Sequence, residues 1–186
     1  MITLQRPSAG AIAQFLDEQR ALPFSYDGAV IARETGAPAG FVVDHNRQQL
    51  GSGATAFASA CAQLRAWRMF PAWTAIEPST TPIVEGTALA VLVHALGAWF
   101  TNSARIVYVI DEPRRFGFAY GTLPAHAESG EERFSVEHLD DDSVWYDLRA
   151  FSKPRYWGAR VAYPVTRALQ KRFARDSKAA MLRALR

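Results

Sequence analysis

Six stretches between Trp73 and Ser152 have the alternating or continuously apolar pattern of β-strands, and about thirty helical residues follow them. The six stretches are residues 73–77, 87–96, 104–111, 115–121, 132–138 and 144–151. Short strands in sequence, joined by tight turns, favour an antiparallel meander. The sequence therefore predicts an α+β chain in which a curved antiparallel sheet is followed by one long helix.

The C-terminal segment from Arg155 onward has an apolar residue at every fourth position. These residues are Trp157, Val161, Val165, Leu169 and Phe173. This spacing places them on one side of a helix, which we expect to pack on the sheet. Pro164 lies inside the pattern and predicts a kink.

The N-terminal part predicts a helix, a wrapping loop and a second helix. Ser8 is a suitable N-cap for the first helix, and Ser52 for the second, which would reach about Arg68. Residues 21–40 contain several glycines and prolines, so we expect an ordered loop that wraps the domain. Together with a short strand at 41–43, six to seven strands are predicted in one domain, residues 1–186. Residues 1–40 form its helix and loop, and residues 41–186 form its core.

The composition excludes several classes of protein. Cys61 is the only cysteine, so no intramolecular disulfide can form and thiolate ligands for a structural zinc site are lacking. The four histidines have no spacing typical of a metal site, and we predict neither a metal nor a cofactor. No apolar segment resembles a signal peptide or a membrane span, which favours a cytoplasmic location.

Positive charge is concentrated at the C-terminus. Residues 153–186 contain ten of the 21 Lys and Arg residues but one acidic residue, Asp176. A basic helix of this kind suggests weak contact with an anionic membrane or RNA. The alternative is a solvated outer face that lies against the acidic remainder of the chain.

A polar cluster, Asp44-His45-Asn46-Arg47, follows the short strand. His45 is a candidate acid–base, and Arg47 would bind an anion or stabilise developing charge. Alternation in an extended segment would place Asp44 and Asn46 on one side and the other two residues opposite. The alternative is a turn at the end of the strand, with local side-chain bonds to the backbone.

A second polar cluster lies in residues 123–132, which we interpret as a rim loop between two strands. His126 and Glu128 are its candidates for proton transfer at the mouth of a cavity. A charged surface loop without a site is the alternative.

Aromatic residues on the predicted strands are candidates for the lining of an apolar pocket. Two residues of the helical pattern, Trp157 and Val161, are candidates as well. The strand residues are Tyr108, Phe118, Tyr120, Phe134 and Tyr146. On the strand at 115–121, the opposite face carries only Gly117, Ala119 and Gly121. Such a face permits bending or close approach of another segment.

The order of elements resembles the helix-grip fold of the START and birch-pollen-allergen superfamily, where an apolar cavity lies between a curved sheet and a long helix. The chain also resembles, from Arg6 onward, a bacterial and plant family of unknown function, DUF1990. The residues that carry this second resemblance are Asp44 to Arg47 with Leu50-Gly51, Trp67 to Phe70, Arg105 to Tyr108, Phe116 to Pro124, Gly130 to Phe134 and Ala150 to Pro154. The family implies no activity.

Three functional hypotheses follow. The first is a cytosolic protein that binds a hydrophobic or amphipathic small molecule between the sheet and the C-terminal helix. The second is an enzyme that uses the same cavity, with His45 or His126 as the acid–base of a cyclase-, hydratase- or hydrolase-like step. The third is an interaction module whose basic helix contacts anionic lipid or RNA.

Overall fold

The fold is built on one antiparallel sheet, seen in a computed structural model that describes residues 1–27, 39–155 and 163–186. The strands are β1 (Ile2–Thr3), β2 (Val42–Ser52), β3 (Thr74–Glu77), β4 (Ala88–Ala95), β5 (Ala98–Glu112), β6 (Arg115–Thr122), β7 (Glu128–His138) and β8 (Ser143–Pro154). Their spatial order is β2-β8-β7-β6-β5-β4-β3, and β1 pairs with β5. Six consecutive strands thus form the predicted meander, and β2 extends it beside β8.

In the ranges that the structure describes, three helices cover the sheet. The helices are α1 (Ala9–Gln19), α2 (Gly53–Arg65) and α3 (Tyr163–Ala184). Helices α2 and α3 pack on one side, which we call the inner face, and α1 packs on the other, the outer face. Ser8 caps α1 as predicted, since its hydroxyl accepts a hydrogen bond from the Ala11 N–H at 3.2 Å. Ser52 precedes α2, but its side chain makes no capping bond.

The main core lies between the inner face and the two helices. Alternation along β6 directs Phe116, Phe118 and Tyr120 into it. Phe118 stacks on Phe134 of the next strand at a ring-centroid distance of 5.4 Å. Each side chain of this size stabilises the fold by about 1.5–3 kcal/mol when fully buried. Helix α2 and Met181 of α3 pack in this core.

The all-small face of β6 is covered by the segment that follows α1. Tyr26 packs there against Ala119 and Phe151, and its hydroxyl donates a hydrogen bond of 2.7 Å to Glu131. A Cβ placed on Gly121 would lie 2.1 Å from the Tyr26 hydroxyl oxygen. The small residues of β6 therefore make room for the N-terminal segment on the outer face.

A β-bulge at Val107 changes which residues of β5 face the core. Ile106 pairs with Tyr120, but the next paired residue is Tyr108, opposite Ala119. Because the bulge adds one residue, Val107 and Tyr108 both belong to the outer cluster, while Ile106 and Val109 pack on the inner one. A strict alternation across residues 104–111 would place Tyr108 on the same side as Ile106, whereas the bulge places it on the outer face.

Several predicted strand ends differ from the structure, and the end of β8 is one of them. Strand β8 continues through Pro154, because Lys153 and Pro154 pair with Ser129 and Glu128 of β7. Helix α3 is described from Tyr163 to Ala184, and the residues before Tyr163 lie outside the described ranges, so the kink at Pro164 stays a prediction.

Candidate functional site

A cavity of about 940 Å³ lies between the inner face of the sheet and the first half of α3. Much of its wall is apolar, with side chains from the sheet, the segment before β3 and the helix. These are Phe70, Val91, Val93, Leu148, Ala150, Val165, Leu169 and Phe173. Its size and mostly apolar wall fall in the range of small-molecule sites.

Glu132 and Tyr120 form a polar pair on one wall of this cavity. They are directly opposite each other on β7 and β6, and the Tyr120 hydroxyl donates a hydrogen bond to the Glu132 carboxyl. Burial raises the pKa of Glu132 to about 7, an effect that Tyr120 opposes and the nearby carboxyl groups of Glu128 and Asp44 reinforce. A carboxyl with this pKa can hold or release a proton near neutral pH.

Glu128 is the second carboxyl on the same wall, and it precedes Glu132 on β7. It accepts hydrogen bonds from the Gln170 side-chain amide and, at 3.3 Å, from the Ser152 hydroxyl. Burial raises its pKa, and the two donors oppose that rise. We call Glu128 and Glu132, both on β7, the acidic wall of the cavity.

An ion pair joins α3 to the strand at the edge of the sheet. Arg167 binds Asp44 of β2 through both terminal nitrogens, one of them 2.7 Å from Oδ1, and also donates to Gln170. Two parallel bonds of this type are geometrically specific. Asp44 therefore pairs with Arg167, and this ion pair ties α3 to β2 beside the cavity.

Comparison with known proteins identifies the family. The family model for DUF1990, a domain of unknown function, matches residues 25–180. The chain belongs to this family. A UPF0548 protein of Dictyostelium discoideum is 33% identical over 207 residues, covering 100% of this chain and 96% of that protein. A UPF0548 protein of Deinococcus radiodurans is 33% identical over 198 residues, covering 99% and 98%.

A solved structure supports the fold. The Zhui aromatase/cyclase from Streptomyces sp. R1128 is similar with a TM-score of 0.51 and 14% sequence identity, covering 78% of this chain and 91% of that one. At this identity the likeness concerns the fold alone. This DUF1990 protein therefore has the helix-grip fold, as the order of its elements predicts.

Of the aromatic residues predicted to line a pocket, Tyr120 borders the cavity. Phe118, Phe134 and Tyr146 are completely buried in the core beside it, where the Tyr146 hydroxyl is 2.8 Å from that of Ser177. Tyr108 lies on the outer face, a correction that follows from the bulge at Val107. Trp157 and Val161 lie outside the described residues.

The polar cluster of residues 44–47 is part of a strand and not a turn. Its alternation is as predicted: Asp44 and Asn46 contact α3, whereas His45 and Arg47 contact β8 on the outer face. The His45 Nε2 is 2.6 Å from Asp147, which also binds Arg133 at 2.8 Å. Although burial opposes it, these hydrogen bonds hold the pKa of Asp147 below its ordinary value. His45 is among the residues that border the cavity, but its ring belongs to this outer network.

The second polar cluster is divided between a turn and a strand. His126 lies in the turn before β7 and borders the cavity, and its Nδ1 accepts a 3.0 Å hydrogen bond from the Glu128 N–H. Burial lowers the pKa of His126 to about 4, so the ring is neutral at pH 7. Glu128 is not in the loop, because β7 begins at this residue.

Sequence reasoning missed Glu132, Arg167 and Gln170 as site residues. Glu132 carried a usable signal, since it shares the strand parity of Phe134 and Val136 and is thus a charge on an apolar face. Arg167 and Gln170 had none, because their partners Asp44 and Glu128 are far away in sequence.

The basic side chains of α3 have several partners within the protein. Arg172 and Arg175 bind Asp176, Arg172 also lies over the Trp73 ring, and Lys178 contacts Asn46. The compared proteins give no support for contact with a membrane or RNA. Within the described residues, no helix is both long and apolar enough to cross a bilayer. Over the same ranges, no three His, Cys, Asp or Glu side chains are grouped as metal ligands.

Proposed function

We propose that this DUF1990 protein binds an apolar or amphipathic small molecule in the cavity between its sheet and α3. The observation that carries the proposal is the 940 Å³ cavity, whose apolar side chains come from the sheet on one side and from Val165, Leu169 and Phe173 on the other. Such surface gains about 25 cal/mol for each Å² removed from water. The protein's own side chains do not fill the cavity, so an apolar ligand that occupies it removes this apolar wall from water.

Native mass spectrometry tests this proposal. The purified protein is measured intact and again after denaturation, and we expect an added mass in the native spectrum alone. In an Ala150→Phe variant the added ring occupies the cavity, because Ala150 lies on β8 between Asp44 and Glu132. This variant is expected to lose the added mass.

Ala62→Phe is the matched control, since it places the same ring on an exposed position of α2 and is expected to retain the added mass. A native spectrum of wild type without added mass, together with no detectable uptake of any eight-carbon alkyl probe, whether neutral, acidic or basic, contradicts the proposal.

A second candidate function is an enzyme with an acid–base in the same cavity. The pair of Tyr120 and Glu132 favours it, because a carboxyl with a pKa of about 7 and a hydroxyl held by it face a space that a substrate would occupy. Glu132 replaces His45 and His126 as the candidate: the ring of His45 is held on the outer face, and His126 is neutral with its Nδ1 occupied.

The enzymatic candidate is tested on the molecule that the protein itself retains. That molecule is extracted, incubated with fresh protein and followed by liquid chromatography with mass spectrometry. Gain or loss of water with wild type, and not with Glu132→Gln, is the expected result for hydratase-, cyclase- or hydrolase-like chemistry. An unchanged molecule in both samples rules this candidate out and leaves the binding function in place.

A further inference from the structure

The cavity's charges are unbalanced at its polar end. Glu128 and Glu132 accept hydrogen bonds from Gln170, Ser152 and Tyr120, and all three donors are neutral. A carboxylate offers about four lone-pair positions, and burying its charge without an opposite charge is costly. The acidic wall therefore has acceptor capacity, and negative charge when ionised, that the described side chains do not match.

Charged groups from several elements lie around the acidic wall and affect its balance of charge. The groups that carry or can carry charge are Asp44 on β2, His126 before β7, Arg155 after β8, Arg167 and Lys171 on α3, and the N-terminal amine of Met1 beside β5. The Arg155 guanidinium donates a hydrogen bond to the Pro124 carbonyl. Arg167 is bound to Asp44, the Met1 amine donates to the Thr101 carbonyl, and Glu131 accepts from Tyr26 on the outer face. Lys171 of α3 is exposed to solvent. None of these cations forms an ion pair with Glu128 or Glu132, although Arg167 acts on Glu128 at longer range and opposes the rise in its pKa.

The hydrogen-bond donors around Glu128 and Glu132 also indicate whether the acidic wall favours ionised or protonated carboxyl groups. A tyrosine hydroxyl, a serine hydroxyl and a side-chain amide all point hydrogens at the two carboxyl groups, an arrangement that suits ionised acceptors. Apolar residues such as Val91 and Leu169 occupy much of the remaining wall. The missing component is thus a cation attached to an apolar body.

We propose that the ligand of this cavity carries a protonated amine, which Glu132 and Glu128 bind while its apolar part contacts the wall between the sheet and α3. This inference rests on the proposed binding function and names the ligand class for that site. An ammonium group has up to three donors, which fits two carboxylates with free lone pairs. Its charge also restores the balance at the acidic wall.

Three probes with the same apolar body and different head groups test the proposal: octylamine, octanol and octanoate. Their affinities for the full-length protein are measured by isothermal titration calorimetry. A charge-assisted hydrogen bond predicts that octylamine binds about ten- to hundredfold more tightly than octanol, and that octanoate binds most weakly. In Glu132→Gln the preference for octylamine should fall to about threefold or less.

A pH series on wild type makes the test independent of any variant. Binding of the amine requires ionised Glu132, so octylamine affinity should rise as the pH increases through about 7, with protons released on binding. A carbonyl-bearing ligand bound by protonated Glu132 would show the opposite trend. Glu112→Gln, an exposed carboxyl at the end of β5, is the matched control and should leave all three affinities unchanged.

The outcomes separate this inference from the function on which it rests. If octanol and octanoate bind as tightly as octylamine, the amine inference is wrong and the binding function stands. If octylamine affinity falls as the pH rises, the inference is also wrong. If none of the three probes binds and no added mass is retained by wild type, the proposed function fails as well.

Discussion

Glu132 accepts a hydrogen bond from Tyr120 at the side of a mostly apolar cavity, and burial raises its pKa to about 7. The same side chain therefore affects both ligand chemistry and stability. In the folded protein it retains its proton at pH values where the unfolded chain, with an ordinary value of 4.5, has lost it. Folding is thus linked to proton uptake by this group.

The pH dependence of unfolding tests this linkage. Because the folded pKa is raised, the contribution of Glu132 to stability is complete below about pH 4.5 and is lost as the pH rises through about 7. Glu132→Gln cannot ionise, so its free energy of unfolding relative to wild type should increase by about 2 kcal/mol between about pH 5 and about pH 8. Urea denaturation at each pH measures this difference.

Glu112→Gln serves as the reference for that series, because it changes an exposed carboxyl. Its stability should follow wild type across the range. Parallel curves for Glu132→Gln and wild type would contradict the raised pKa.

For single residues, the sequence predicts which side of a strand a side chain faces better than it predicts which residue that side chain binds. Alternation correctly separates Asp44 and Asn46 from His45 and Arg47, because it depends only on the strand being extended. The partner of His45 is Asp147, 102 positions away, and their contact depends on the pairing of β2 with β8. That pairing results from tertiary packing, which no local pattern contains.

Among the elements, the sheet meander and the helices could be predicted from periodicity and turn residues. Bounds were less predictable, because β7 starts at Glu128 inside a charged segment that resembles a loop. The bulge at Val107 was also hidden, since residues 104–111 are apolar on both faces and either parity suits them. The position of Tyr108 was consequently wrong, although the strand itself was correct.

The packing of the N-terminal segment on β6 gives a prediction for Gly121. A methyl group there would lie 2.1 Å from the Tyr26 hydroxyl oxygen, so Gly121→Ala should displace Tyr26 and reduce stability by about 1–3 kcal/mol. In a Tyr26→Phe background the loss should be smaller, because the closest atom is absent. Thermal and urea unfolding of the four proteins measure the coupling.

Gly10→Ala is the control for that cycle. Gly10 lies in α1, and a methyl group added there would have nothing within 4 Å, so the change should be neutral or stabilise by up to about 1 kcal/mol. Additive effects of Gly121→Ala and Tyr26→Phe would show that the two side chains do not compete for space.

For the whole molecule, the sequence predicts the helix-grip arrangement and the site of its cavity but not what the cavity prefers. The order of strands followed by a helix predicts that the helix packs across the sheet, and the cavity lies where side chains leave the space between them open. Its polarity depends on a few side chains, Glu128, Glu132 and Arg167, whose contacts form only when β2, β7 and α3 meet.

A bound ligand should also contribute to the stability of the whole fold. Wild type that is unfolded, freed of small molecules on an apolar resin and refolded should melt about 5–10 °C below the protein as purified. The Ala150→Phe variant, whose cavity is filled, should show equal melting temperatures before and after this treatment. Differential scanning calorimetry compares the four samples, and equal values for both wild-type samples would exclude a stabilising ligand.

In the described part of the chain, β2 forms one edge of the sheet, with β8 as its only strand partner. An edge strand of eleven residues is a template on which a second copy of a protein could add a strand and begin an aggregate. Here Asp44 faces one side, and His45 and Arg47 face the other. Charges on both sides oppose such growth, so the residues that fasten α3 and bind Asp147 also make this edge a poorer template for a second copy.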